Sequence, residues 1–561
     1  MKISQLQINN FRSVKTIDIK LPQICALIGP NNAGKSNILL AIQRVLGREW
    51  ISVSAFDEDD VYGRDVTANI SIALSFDPPI QYSKFKEADS VDIVTLSFEY
   101  THYKIGSQKG QRRLEQKCFD AKGKPPSVLA KAPKKGEQHK YEQLYNTPSE
   151  VRGKIPLIYV GTNRSLKDHL PGARYSLLRQ LFEDINQNLH DPSQTIKVKQ
   201  SDDNELDVSR VKHFQNLMKS AMALLRTDSF NKLETMIKRN ALRQLGFDPD
   251  TDTEKLDFFF SPFDTMDFYK SLDMRVREGD FTISATELGE GIQNAIVLSI
   301  LQAFEERRKQ GAIILIEEPE MFLHPQMQRS LYKTLREIGK TNQVIYTTHS
   351  PHFVTIPNYH EILLVRKSDS STYVKSSDLP TDEKRREKLI KEFDTERNEL
   401  FFASRLLLVE GDTEKLALPE YAKRMKLDLD RQGATIIEVG GKRNLMEFAK
   451  ISISFGIPTG ILYDEDSSDI SDKKEEQEYN NSLDALKKTD DSVKTWRFSK
   501  KYEDHLRKAL GEEKYQALCQ KYSGFKKPTH ARLIASEEGS PIPEPLEDVL
   551  YWLANKIKRK V

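Results

Sequence analysis

Cysteine is scarce in this chain. There are three in 561 residues, Cys25, Cys118 and Cys519, far apart and with no CxxC pair. That excludes a disulfide scaffold and a cysteine-built zinc site, and it favours a reducing, cytoplasmic compartment. Long apolar runs are also missing: none approaches the roughly 18 residues that cross a bilayer, so no membrane partner is expected. The opening stretch, MKISQLQINNFRS, lacks an apolar signal core, so no secretory peptide is expected. Charge of one sign is lacking as well: 85 Lys and Arg against 83 Asp and Glu leave +2, so any DNA-binding surface has to be local. With 38% hydrophobic and 30% charged residues the chain is globular. Its length corresponds to roughly three or four domains.

Local patterning divides the chain. ISQLQINNF and TIDIKL alternate in period 2, ICALIG is a short buried strand, and a helix is expected from about Lys35 to Leu46. ANISIALSF and VDIVTLSFEY suggest an antiparallel subsheet, and the polar stretch from about 105 to 150 reads as exposed loops. Residues 175–245 carry amphipathic helical stretches and read as an all-helical insertion suited to self-association. Apolar strands follow at AIILIEE, NQVIYTTHS and EILLVRK. The stretch 380–399 is highly charged and reads as a solvated helix or linker. A second strand–helix system begins at RLLLVEG and continues through ATIIEVGG and IPTGILYDED, with a tail of mixed helix and basic loop from 495.

The first chemistry-bearing motif is Gly29-Pro30-Asn31-Asn32-Ala33-Gly34-Lys35-Ser36, a GxxxxGKS phosphate loop between a strand and a helix. Its backbone N–H groups and the helix N-terminus favour phosphate, Lys35 is placed for the β/γ-phosphates and Ser36 for Mg²⁺. Asn31, Asn32 and Gly34 belong to the same cradle. A buried strand ends in Glu317-Glu318. Burying an acidic pair is costly unless something uses it, and Mg²⁺ at Glu317 with an attacking water at Glu318 would do so. Glu287-Leu288-Gly289-Glu290-Gly291-Ile292-Gln293 precedes a helix, His349 follows a strand in YTTHS, and Leu323-His324-Pro325 comes just after the acidic pair. Together these resemble the ABC ATPase superfamily, close to SMC-like heads. The resemblance implies ATP binding by a P-loop, a Walker B pair, a signature loop at Gly289, Gly291 and Gln293, and a switch histidine at His349, although LSGGQ itself is absent.

The second motif is a pair of acidic clusters, each closing an apolar strand. Glu410-Gly411-Asp412-Thr413-Glu414 follows RLLLV, with Gly411 expected to supply backbone freedom at a tight turn. About 50 residues on, Asp464-Glu465-Asp466 follows GILY, and Asp464 and Asp466 share a face in extended backbone. Convergent carboxylates repel unless divalent cations join them. Two such ions can activate water and stabilise a leaving 3′ oxygen.

This second cluster resembles the Toprim fold, and the order ATPase first, Toprim second resembles the OLD (overcoming lysogenization defect) family of ATP-dependent endonucleases, to whose class the Gabija nuclease subunit belongs. The resemblance covers nearly the whole chain and is weaker over 50–160, 180–260 and after 470. The implied fold class is α/β: an ABC/SMC-like ATPase head with an inserted helical dimerisation domain, then a Rossmann-like Toprim domain. The boundaries expected are 1–168 and 261–378 for the ATPase, 169–260 for the insertion, 379–399 for a linker and 400–561 for Toprim. The resemblance makes Glu410, Glu414, Asp464 and Asp466 metal ligands, with Glu503 or Asp504 as a later acidic ligand, Asp469 as an outlying one and Lys527 as a catalytic lysine. It implies ATP and Mg²⁺ as cofactors, with Mn²⁺ able to substitute at the nuclease site. The implied partners are double-stranded DNA, a homodimer or homotetramer, and in the Gabija type a UvrD-like helicase. The implied role is anti-phage defence in the cytoplasm. Phosphate contacts are expected from Lys494, Arg497, Lys500, Lys501, Lys521, Lys526, Lys527 and Arg532. The competing reading is an SMC-like DNA clamp with a non-catalytic Toprim scaffold.

Overall fold

The computed structural model describes residues 1–47, 53, 56–65, 67–86, 88–103, 106–132, 139–162, 164–173, 176–199, 205–256, 264–307, 311–380, 387, 396–465 and 473–556. The chain forms two compact units, one of residues 1–162 with 310–561 and one of 163–309.

The N-terminal part of the first unit is built on two sheets. An antiparallel sheet runs in the order Val14–Lys20, Lys2–Phe11, Ile70–Tyr82, Val91–His102, Arg112–Phe119. Its alternating apolar residues, among them Leu6, Ile8, Ile70, Ile72 and Leu74, share one core with Ile38, Leu39 and Ile42 of the helix Lys35–Leu46. The strand Arg112–Phe119 departs from the loops expected between 105 and 150. It is a half-exposed edge strand, and edge strands carry charge that blocks further pairing, so RRLEQKCF reads as polar loop.

The second sheet has the order Ser371–Ser376, Ile362–Ser368, Ile24–Ile28, Gln343–Thr348, Ile313–Glu317, Leu157–Val160. All its neighbours are parallel except the first pair. Its three central strands are buried from end to end, which is why they read as apolar runs and not as alternation. The phosphate loop, Glu317-Glu318 and His349 all sit at the C-terminal ends of these strands, where α/β sheets bind ligands.

The C-terminal part carries a four-stranded, wholly parallel sheet in the order Ala434–Glu438, Arg405–Val409, Thr459–Asp464, Lys494–Phe498. The last strand falls in a stretch for which no strand was expected. It is short, with only Phe498 fully buried, so its apolar signal is thin. The helix Asp412–Arg424 packs along the helix Lys527–Ser536 over a core that includes Leu407, Leu462 and Phe498.

The two halves of this unit are joined by the turn Arg397–Phe402. Asn398 is 1% exposed. Its amide donates to the carbonyls of Pro351 and Val354, both at 2.9 Å, and its Oδ1 accepts the Ile356 N–H at 3.3 Å. Arg397 donates to the carbonyl and the carboxylate of Glu438, each at 2.9 Å. The end of the expected solvated linker is therefore packed, because Leu400 and Phe401 are core residues. Residues 381–386 and 388–395 lie outside the described residues.

The second unit holds the helices Leu177–Leu189, Arg210–Leu225, Asp228–Gln244, Thr265–Lys270 and Glu290–Arg307. It also holds two β-hairpins, Thr195–Lys199 with Glu205–Ser209 and Arg275–Glu278 with Phe281–Ser284. The insertion is thus mixed and not all-helical. Its period-2 runs, TIKVK and ELDVS, are too short to stand out between strongly helical neighbours. Among the described residues no helix is long and apolar enough to cross a membrane.

Candidate active sites

The phosphate loop is fixed by close backbone packing. Gly29 has φ +143°, and a Cβ there would lie 2.0 Å from the Val365 carbonyl oxygen. Gly34, at φ +108°, leaves no room beside Thr372 Oγ1 and Ser13 Oγ. Thr372 donates to the Ala33 carbonyl at 2.8 Å, so the neighbouring strand braces the loop from behind. Asn31 and Ser36 are exposed, and Asn32 is exposed with a left-handed φ of 62°.

Lys35 is buried, and its Nζ donates to the carbonyls of Gly29 and Pro30 at 3.0 Å each. It also lies 2.7 Å from His349 Nε2. Burial pushes its pKa down to about 8, against the opposing pull of Glu318 and Glu320. The His349 pKa is lowered by burial and then by Lys35, against the opposing pull of Glu318. His349 Nε2 also lies 3.4 Å from Glu318 Oε1.

Glu317 is 8% exposed at the strand end and hydrogen-bonds Tyr159 of the adjacent strand, whose phenol pKa is raised by burial and then by that carboxylate. Glu318 has a left-handed φ of 43°, a conformation that non-glycine residues adopt at a cost and that gathers at functional sites. Its N–H is held at 3.0 Å by both the carbonyl and the hydroxyl of Thr347. The structure thus brings together Lys35, Glu318 and His349 from three separate strand ends.

The signature-like loop lies in the second unit. Gly289 is exposed with nothing near a would-be Cβ, and the 18-residue helix Glu290–Arg307 starts there, with Gly291 in its first turn. Gln293 donates to the carbonyls of Thr286 and Leu288 and accepts from the Leu166 N–H, so its amide holds the loop in shape.

In the C-terminal sheet Glu410 and Asp464 end neighbouring parallel strands. Glu410 Oε1 accepts the Asp464 N–H at 2.7 Å. Gly411 has φ −151°, extended backbone that any residue adopts, so the expected conformational need for glycine is not met. Glu414, in the first turn of the next helix, is 9% exposed, and burial, followed by the charge of Glu503, pushes its carboxyl up to about 7. Lys527 Nζ is 2.7 Å from Glu503 Oε1 and feels Glu414 and Asp464 in turn. Asp504 is exposed. Asp466 and Asp469 lie outside the described residues.

Among the described residues no three His, Cys, Asp or Glu groups converge closely enough to hold one ion by themselves. The donor chemistry still fits a hard divalent cation, because the groups are carboxylates and so supply oxygen ligands.

Besides Tyr159 at Glu317, two further supporting residues were not anticipated. Lys442, after the Gly440-Gly441 pair, is 9% exposed, donates to the Asp464 carbonyl and pairs with Glu476 at 2.6 Å. Glu320 accepts from the backbone of the switch loop. Of the basic residues, Arg497 pairs with Glu465 at 3.5 Å, Lys521 with Glu537 and Arg532 with Glu420 at 3.5 Å. Lys494, Lys500, Lys501 and Lys526 are exposed.

A phosphate-loop ATPase sheet followed by a parallel sheet with acidic strand ends defines an ATPase–Toprim protein. The family described as AAA ATPase domain matches residues 1–354, and the overcoming lysogenization defect protein-like TOPRIM domain matches 401–466. The chain is 30% identical over 484 residues to an OLD nuclease of Thermus scotoductus, covering 85% of this chain and 84% of the relative. It is 24% identical over 457 residues to the endonuclease GajA of Bacillus cereus VD045, covering 79% and 71%. A solved Smc head domain from Pyrococcus furiosus aligns with 70% of the chain and 98% of its own at 16% identity, with a TM-score of 0.39. The chain belongs to the OLD family of ATP-dependent endonucleases.

Proposed function

We propose that this enzyme cuts DNA by divalent-metal chemistry at Glu410, Glu414, Asp464, Asp466 and Glu503, under the control of ATP bound by a second, composite site. The observation that carries the reading is the Glu410–Asp464 contact at the ends of neighbouring parallel strands, with Lys527 paired to Glu503 and within electrostatic reach of Glu414 and Asp464. Divalent cations at such a site activate water and stabilise the leaving oxygen of a phosphodiester. Lys527 offsets charge on the scissile phosphate, and the exposed Lys494, Lys500, Lys501 and Lys526 contact the backbone of double-stranded DNA without reading sequence.

In the ATP site Lys35, Asn31, Asn32, Gly34 and Ser36 hold the nucleotide, Glu317 holds its Mg²⁺, Glu318 orients water and His349 senses the γ-phosphate. The loop of Gly289, Gly291 and Gln293 serves the nucleotide of a second subunit, as in ABC/SMC-like heads. Its exposed position at a helix N-terminus suits an anion. A homodimer or homotetramer follows. Exposed Leu217, Leu224 and Leu225 on one helix of the insertion, with Leu233, Met236 and Ile237 on the next, support dimerisation there. The biological role is defence against phage DNA in the cytoplasm, with a UvrD-like helicase as partner in the Gabija arrangement.

The test is cleavage of supercoiled plasmid with Mg²⁺ or Mn²⁺, with and without ATP, alongside the solution mass. Nicked or linear product that needs the metal and changes with ATP is expected. ATP-dependent DNA binding with no cleavage under any condition would instead establish the clamp reading.

A further inference from the structure

We propose that Glu320 is a positioning residue for ATP hydrolysis, gathering the switch loop onto the Walker B turn so that His349 faces Glu318. This rests on the reading of Glu318 and His349 as the pair that acts at the γ-phosphate. A single oxygen, Glu320 Oε1, accepts three hydrogen bonds from consecutive residues: the Thr348 hydroxyl at 2.7 Å, the His349 N–H at 2.6 Å and the Ser350 N–H at 3.2 Å. The same loop is tied a second time, since Ser350 Oγ donates to Gln328 Oε1 at 2.7 Å on the helix Pro325–Ile338.

With the backbone of 348–350 gripped on both sides, the His349 ring projects to meet both Glu318 and Lys35. Glu318 is itself pinned to Thr347 through its N–H, so acid and histidine share one frame. The other oxygen, Glu320 Oε2, is buried and accepts no hydrogen bond among the described residues. A carboxylate there costs desolvation that a simple loop cap would avoid. What the side chain supplies is a single oxygen placed to accept from three donors at once.

The test uses the full chain with E320A, E320Q and E320D, measuring MgATP turnover, binding of a fluorescent ATP analogue and thermal stability. E320A is expected to lower kcat by about 100-fold, the scale of a roughly 1 Å misplacement, with nucleotide affinity unchanged. E320Q, whose amide oxygen accepts the same bonds, is expected to recover to within about tenfold of wild type. E320D keeps the charge but retracts the acceptor, and it stands in for E320A if that variant does not fold. Wild-type turnover in E320A or E320D overturns the proposal. So does an E320Q no better than E320A, or a loss of affinity and stability in step with kcat. E318Q is assayed in parallel: if it still turns over ATP, the underlying assignment of Glu318 fails, whatever the Glu320 variants do.

Discussion

Glu410 Oε1 accepts the backbone N–H of Asp464 at 2.7 Å, so one carboxylate of the acidic cluster fixes where the next begins. In the proposed reading Glu410 is both a metal ligand and this anchor, so E410A should reduce metal-dependent plasmid cleavage by at least about 100-fold, since a lost ligand and a displaced neighbour act together. ATP hydrolysis should persist. Gel quantification of nicked plasmid beside a phosphate-release assay checks both. Cleavage at wild-type rate would remove Glu410 from the site.

Glu318 stands in strained backbone beside His349. E318Q should bind MgATP as tightly as wild type and slow turnover by about 100-fold or more, the usual scale for losing a positioned base. Equilibrium binding and steady-state kinetics separate the two effects. A matched fall in affinity would show that Glu318 holds nucleotide and does not act on water.

Lys35 has a pKa pushed down to about 8 by burial in the phosphate loop. A bound triphosphate favours the charged form and raises that pKa. Above pH 8, therefore, MgATP binding should take up a proton, and affinity should fall by up to about tenfold per pH unit until the bound-state pKa is reached. Calorimetry in buffers of different ionisation enthalpy reads the uptake directly. No uptake at pH 8.5–9 would mean that the lysine is already fully charged.

Asn398 satisfies two carbonyls and one N–H of the segment after the switch histidine. N398A strands those buried groups and should cost about 2–4 kcal/mol of stability. A lowered melting temperature checks this, and N398D should rescue little because it loses both donated bonds. An unchanged melting temperature would show that the turn contributes nothing to holding the two halves.

The parts legible in the sequence were those whose signal is local. Lys35, Glu317, Glu318, His349, Glu410 and Asp464 each sit next to an apolar strand, and a strand end is visible from a handful of residues. Glu503 and Lys527 came only through resemblance, because their meeting at 2.7 Å depends on helices far from the acidic turn. Glu320, Tyr159 and Lys442 were invisible for the same reason: each supports a partner on another strand or loop. Gly411 shows the opposite error, since a glycine in a motif suggested a backbone need that its extended φ does not have.

Leu157–Val160 and Ile313–Glu317 are parallel neighbours in the ATPase sheet, with Ile313 opposite Leu157. Parallel neighbours cannot be joined by a hairpin; they need a crossover of about a dozen residues or more, usually a single helix. All of residues 163–309 occupy that one connection. The sheet itself asks only for the crossover, and the connection here is many times that length. A chain in which one plain helix bridges the two strands should still fold its ATPase sheet and its nuclease half, and would separate what the insertion does from what the strand ends do.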